Sequence, residues 1–160
     1  MSEEADLEVW SNTSKDRLGF WALKYSSAFF GDPVIHDRLP FNIFLNEAIA
    51  ILAAIHWSTL LHPTPHRLAI HTNSSNSFNI FNSLCASDPY NSILMSTALI
   101  RIDYGIDLRI FFIEGKQNTI ADALSHHSFD FICNLVLNVS IRHFMPPSSP
   151  TMLVMGVHQE

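Results

Sequence analysis

The run from Phe41 to Trp57 constrains the fold of this chain more than any other segment. It is apolar apart from Asn42, Asn46, Glu47 and His56. A membrane-spanning helix needs ~20 consecutive apolar residues, so a shorter run with four polar interruptions predicts a buried helix instead. Phe44, Ala48, Ile51 and Ile55 fall on one face at helical spacing, and Glu47, Ala50 and Ala54 form an adjacent strip of smaller residues suited to close packing on a sheet. Glu47 then sits one turn inside, on an otherwise apolar surface. An unpaired carboxylate there is costly, which predicts a partner for it: a metal ion, a cationic side chain or a cluster of donors. An ordinary glutamate at the rim of the helix is the competing reading.

The remaining segments supply the sheet. Leu7 to Asn12, Leu18 to Tyr25 and Ser27 to Phe30 are extended runs rich in aromatic and aliphatic residues, which predicts three antiparallel strands. Gly31 to Pro40 reads as a loop into the helix, and His62-Pro63-Thr64-Pro65-His66 closes its other end. A short strand from Arg67 to Thr72 follows. Ser74 or Ser75 caps a helix that runs to about Ala86, Asp88-Pro89 breaks it, and a second helix runs from Asn91 to Tyr104 and stops at Gly105. Ile106 to Ile113 is the fifth strand, and a short helix spans Ile120 to Ser125. This order predicts an α/β fold, a five-stranded mixed sheet flanked by helices. A length of 160 residues, 48% of them apolar, is enough for one domain with a real core. We place that domain at residues 1–128. Residues 129–160 form a C-terminal extension, with Met145-Pro146-Pro147-Ser148-Ser149-Pro150 as a proline-rich linker.

Charge and cysteine content narrow the function. A net charge of −6, with Arg17, Lys24, Arg67, Arg101, Arg109 and Lys116 scattered, argues against a bare electrostatic nucleic-acid binder and makes any such contact local. Cys85 and Cys133 are far apart, indicating neither a zinc site nor a disulfide framework. The acidic start Met1-Ser2-Glu3-Glu4-Ala5-Asp6 lacks the features of a signal peptide, so an intracellular location without a membrane partner is expected. His126 and His127 have no metal-site spacing and read as surface residues. Asp16 reads as a turn residue, and Trp10, Trp21, Trp57 and His71 as packed side chains.

Four positions on four elements carry the chemistry. Asn12 and Asn73 each end a predicted strand, Glu47 lies on the first helix and Asp122 on the last. Thr119-Ile120-Ala121-Asp122 also has the spacing of a capping box, which by itself would explain Asp122. A hydrolase using two metal ions needs clustered carboxylates at such strand ends, because hard cations are held by charged oxygens. An asparagine offers one oxygen and no charge.

Trp10-Ser11-Asn12-Thr13-Ser14 with Gly19-Phe20-Trp21, then Asn46-Glu47-Ala48 with His56-Trp57, then His71-Thr72-Asn73-Ser74, then Ile120-Ala121-Asp122-Ala123-Leu124-Ser125 resemble the ribonuclease H domain of retrotransposon reverse transcriptases, in the version found in fungal mobile elements. The resemblance runs from about Glu8 to Ser125. It implies a ribonuclease H-like sheet with an Asp, Glu, Asp, Asp cluster that binds two divalent ions, magnesium or manganese, and cleaves the RNA strand of an RNA/DNA hybrid. Glu47 and Asp122 match the family glutamate and last aspartate. Asn12 and Asn73 stand at the other two aspartates and depart from them, so weak or lost metal binding and impaired cleavage are expected. The resemblance further implies a parent polyprotein with an upstream reverse transcriptase domain, absent from this chain, and a decayed element copy as the origin.

Overall fold

The computed structural model describes residues 4–34, 42–83 and 90–145, with the backbone of Gly156–Val157. In β1 (Leu7–Thr13), Leu7, Val9 and Ser11 point to one face of the sheet and Glu8, Trp10 and Asn12 to the other, as the two-residue period of a strand requires. β2 (Leu18–Ala22) and β3 (Ser27–Gly31) continue antiparallel, with Trp10 opposite Trp21 and Phe20 opposite Phe29. The second strand was expected to reach Tyr25. Instead Leu23–Tyr25 form a 3-10 turn, and Ser26, at φ 47°, takes the left-handed conformation that swings the chain into β3.

β4 (Arg67–Thr72) lies parallel to β1, and β5 (Asp107–Phe112) parallel to β4. The Asp6 carboxylate pins the start of this parallel pair by accepting from the backbone N–H groups of His66 at 2.9 Å and Arg67 at 3.0 Å. The Arg67 and His66 backbone bonds hold the Asp6 carboxyl below the usual aspartate range.

Among the described residues the sheet has six strands longer than two residues, where five were expected. β6 (Ser140–Met145) lies parallel to β3, giving the order β5-β4-β1-β2-β3-β6, and the two-residue β7 (Gly156–Val157) pairs beyond it. The run Ser140-Ile141-Arg142-His143 has no clean apolar alternation, so its strand character does not show locally. Its anchor is Phe144, fully buried and 5.3 Å from the Phe20 ring. Gly31 provides the space, since a Cβ there would lie 2.9 Å from Phe144.

α1 (Ile43–Ser58), α2 (Ser75–Ser83) and α3 (Tyr90–Tyr104) pack on the face carrying Leu7, Val9, Phe20, Phe29 and Ile70. Asn42 caps α1 by accepting from the Leu45 N–H at 3.1 Å. Phe44, expected on the buried face, is exposed, while Leu45, Ile49 and Leu52 are buried. α1 is wedged between the sheet and α3, so most of its circumference needs apolar residues. α2 is capped by Ser74, whose hydroxyl accepts from the Ser77 N–H at 3.1 Å, and α3 ends at Gly105, at φ 66°, both as expected.

α4 (Thr119–Ser125) and α5 (Phe129–Leu135) cover the opposite face, where Ile120, Leu124 and Ile132 form a smaller core with Ala28. Gly19 lets α4 approach, since a Cβ at that position would lie 2.7 Å from the Leu124 Cβ. The predicted loop beyond Val34, the Asp88-Pro89 break, Cys85 and the proline-rich linker after Met145 lie outside the described residues. Among the described residues no helix is long and apolar enough to cross a membrane.

Candidate functional site

The carboxyl ends of β1 and β4 are neighbours because their parallel register sets Ser11 beside Thr72. Asn12 and Asn73 each follow that pair by one residue, so the two amides occupy one corner of the sheet. α4 closes the corner. Asn12 Nδ2 donates to Asp122 Oδ1 at 3.0 Å and lies 3.3 Å from Ser125 Oγ. Ser125 Oγ donates its own proton to the Asp122 carbonyl at 2.8 Å, so only its lone pairs face Asn12. Both groups in front of the amide are therefore acceptors, which fixes the nitrogen side of Asn12 toward them.

Further bonds tie α4 to the end of β1. Ser14 Oγ donates to the Ser125 carbonyl at 2.7 Å, and Asn118 Nδ2 donates to the Ser11 carbonyl at 2.7 Å. His126 Nε2 sits 3.3 Å from Asp122 Oδ1, one turn along the same chain segment. The capping-box reading of Asp122 does not hold. Thr119 is already the first helical residue, Asn118 makes no side-chain cap, and the Asp122 carboxylate faces Asn12 and His126. Asn12 is buried, whereas Asp122 is exposed.

Asn73 packs against the turn Gly115–Gln117: its Nδ2 would be 3.3 Å from a Cβ on Gly115. Its Oδ1 is buried without a hydrogen-bond partner. Glu47 enters from the other side of the sheet on α1. Burial pushes its carboxyl above the usual glutamate range, and a hydrogen bond from the Ser74 hydroxyl offsets part of that rise. The partner that its burial demands is thus a neutral hydroxyl on the residue after Asn73. The structure joins Asn12 to Asp122 directly and sets Asn73 beside Asn12 through strand register, whereas Glu47 stands on α1, on the other face of the sheet.

The donor set does not fit a centre for two divalent cations. A cation at Asp122 would have to displace the Asn12 N–H, which presents a proton to the carboxylate where a metal would need a lone pair. Among the described residues no three His, Cys, Asp or Glu side chains are grouped closely enough to hold a metal ion.

Sequence reasoning did not single out Ser14, Ser74, Asn118 or Ser125 as parts of this corner. Only Ser125 carried a signal, standing three residues beyond Asp122 and so on the same helix face. His126 is exposed as expected, yet it pairs with Asp122. Asp16 is an exposed turn residue, its N–H bonded to Ser14 Oγ at 3.2 Å. Trp57 is core; Trp10 and Trp21 are half-buried.

No protein-family model and no curated protein sequence matches the chain. Among solved structures, it is similar to RNase H1 from the halophilic archaeon Halobacterium salinarum, with a TM-score of 0.53 and 12% identity over 78% of this chain and 98% of that one. It is also similar to the N-terminal RNase H domain of rv2228c from Mycobacterium tuberculosis, solved as a fusion with maltose-binding protein, with a TM-score of 0.56 and 10% identity over 81% and 99% of the two chains. The chain therefore has a ribonuclease H-like α/β fold, a mixed sheet flanked by helices.

Proposed function

We propose that this chain is a ribonuclease H-like domain, derived from a retrotransposon reverse transcriptase, that binds RNA/DNA hybrid while its metal-dependent cleavage of the RNA strand is lost or strongly impaired. The observation that carries the reading is the Asn12 amide donating to Asp122 at 3.0 Å, where a nuclease of this kind needs two carboxylates and a cation. The likeness to two structures named as RNase H supports a hybrid-related role. The resemblance of the Ala121-Asp122-Ala123-Leu124-Ser125 block to retroelement sequences supports the origin and an ancestral polyprotein with a reverse transcriptase upstream. In this reading residues 1–128 carry the site, residues 129–160 extend the chain past it, and magnesium or manganese would have to be held by Glu47 and Asp122 alone. Two carboxylates can hold a hydrated magnesium weakly.

Metal assistance of such a reaction is worth several kcal/mol, which corresponds to about a thousandfold in rate. The test sets the native chain beside the double reversion Asn12→Asp, Asn73→Asp in a hybrid-cleavage assay with magnesium and with manganese. Cleavage by the native chain near background, with a gain on reversion, is the expected result. Robust magnesium-dependent cleavage by the native chain, abolished by Glu47→Gln, overturns the reading. A parallel titration of hybrid at several salt concentrations checks binding, since phosphate contacts make affinity fall as salt rises.

A further inference from the structure

We infer that the part of the sheet face beside this corner, at the β5 edge, is a stacking site for one unpaired nucleotide of a nucleic-acid strand, with the base laid on Phe111. The inference rests on the nucleic-acid reading above, but it uses different residues.

Trp21, Trp10, His71 and Phe111 are cross-strand partners on β2, β1, β4 and β5. Their rings form one ladder, with centroids 5.3, 5.0 and 5.4 Å apart along it and planes tilted by 31°, 15° and 23°. β5 is the edge strand, so the ladder ends on Phe111, which is 44% exposed. Among the described residues no other ring meets Phe111, leaving its outer face open to a further planar group.

The next row back on the same face is Glu8, Ala69 and Arg109, also in register. It lies in an open basin of about 850 Å³, which also includes His71, Asp107 and Phe111. The small Ala69 is its floor. Strands are ~4.8 Å apart, so Glu8 lies about 10 Å inward of Arg109, and Arg109 shares the β5 edge with Phe111, two residues back. Arg109 is largely exposed and only loosely paired with Asp107, at 3.8 Å, so its guanidinium is available to a phosphate at the sheet edge. Glu8, 3.4 Å from His71 Nε2, holds the inner part of the ladder and lies out of reach of a base on the outer face of Phe111. Asn12 and Asn73 follow this ladder by two residues along β1 and β4, which places the corner and the edge ring on one face of the sheet.

The test compares three fluorescent probes by anisotropy on the full chain: a blunt RNA/DNA hybrid, a single-stranded oligoadenylate and a single-stranded oligothymidylate. Both single strands are expected to bind, since every base offers a face for stacking. Phe111→Leu, which keeps the bulk and removes the ring, should weaken oligoadenylate about tenfold while leaving blunt hybrid unchanged. Arg109→Gln should weaken both single strands alike. Absence of oligoadenylate binding, or binding indifferent to Phe111→Leu in a variant with native circular dichroism, overturns the inference. A chain that binds no oligonucleotide but doubles its mass through β5, with Phe111→Leu returning it to monomer, overturns the inference in favour of self-association. If oligoadenylate binds as expected and blunt hybrid does not, the hybrid reading fails while the stacking site stands.

Discussion

The two faces of the sheet are built from alternate residues of the same strands, yet they do different work. The face under α1 is a continuous apolar core in which Val9, Phe20, Phe29, Ile51 and Ile70 are fully buried. The face under α4 carries a small core around Leu124, then the hydrogen-bonded corner of Asn12, Asp122 and Ser125, then the open ladder ending at Phe111. Fold energy is concentrated on the first face and chemistry on the second. In the proposed reading, this separation lets asparagines stand at two aspartate positions of a nuclease site without loss of the architecture: neither position contributes to the large core.

The comparison breaks if the second face proves as costly to disturb as the first. The largest effect is expected from Phe20→Ala, which empties a fully buried site between Phe29, Trp57 and Phe144 and should cost about 3–5 kcal/mol in chemical denaturation. Gly19→Val tests the seam between the faces. Its side chain collides with Leu124 and should cost about 1–3 kcal/mol by the same measurement. Asn12→Asp alone comes next. It replaces a donated hydrogen bond by a second carboxylate facing Asp122, and because solvent reaches Asp122 the loss at neutral pH should be about 1 kcal/mol. Like charge raises the carboxylate pKa values in the folded state, so this penalty is present at neutral pH and fades as pH falls toward ~3.9.

Glu47→Gln should have the smallest effect, and of opposite sign. Burial raises the Glu47 pKa in the folded state, so its ionised form disfavours folding above that raised value. Below the ordinary value of 4.5 both states are protonated and the penalty is gone. The substitution should therefore raise the melting temperature slightly at pH 7, with the gain vanishing as pH falls toward 4.5.

The same division governs what the sequence alone reveals. The apolar face is written in local patterns: the run of α1, the alternation of β1 to β3, the Ser74 cap and the Gly105 stop could all be assigned from neighbours in sequence. β6 escaped because its strand character depends on one residue, Phe144, filling the space over Gly31, a contact made far along the chain. Glu47 stood out locally as a carboxylate on an apolar helix face, while Asn12, Asn73 and Asp122 gained their chemical meaning through resemblance to a known family. The contacts that define their present state were not, since Asn12 is 110 residues from Asp122, and the hydroxyls of Ser125 and Ser14 have no spacing that announces them. The pairing of His126 with Asp122 was hidden for a different reason: an adjacent histidine pair on a surface has many neutral explanations.

The central claim is that the Asn12 amide has taken the place of a cation at Asp122, and titration calorimetry of the native chain with manganese tests it most directly. The account predicts no saturable binding at millimolar metal in the native chain and its appearance in the double reversion Asn12→Asp, Asn73→Asp. Stoichiometric binding of two ions by the native chain, lost in Glu47→Gln, would contradict it.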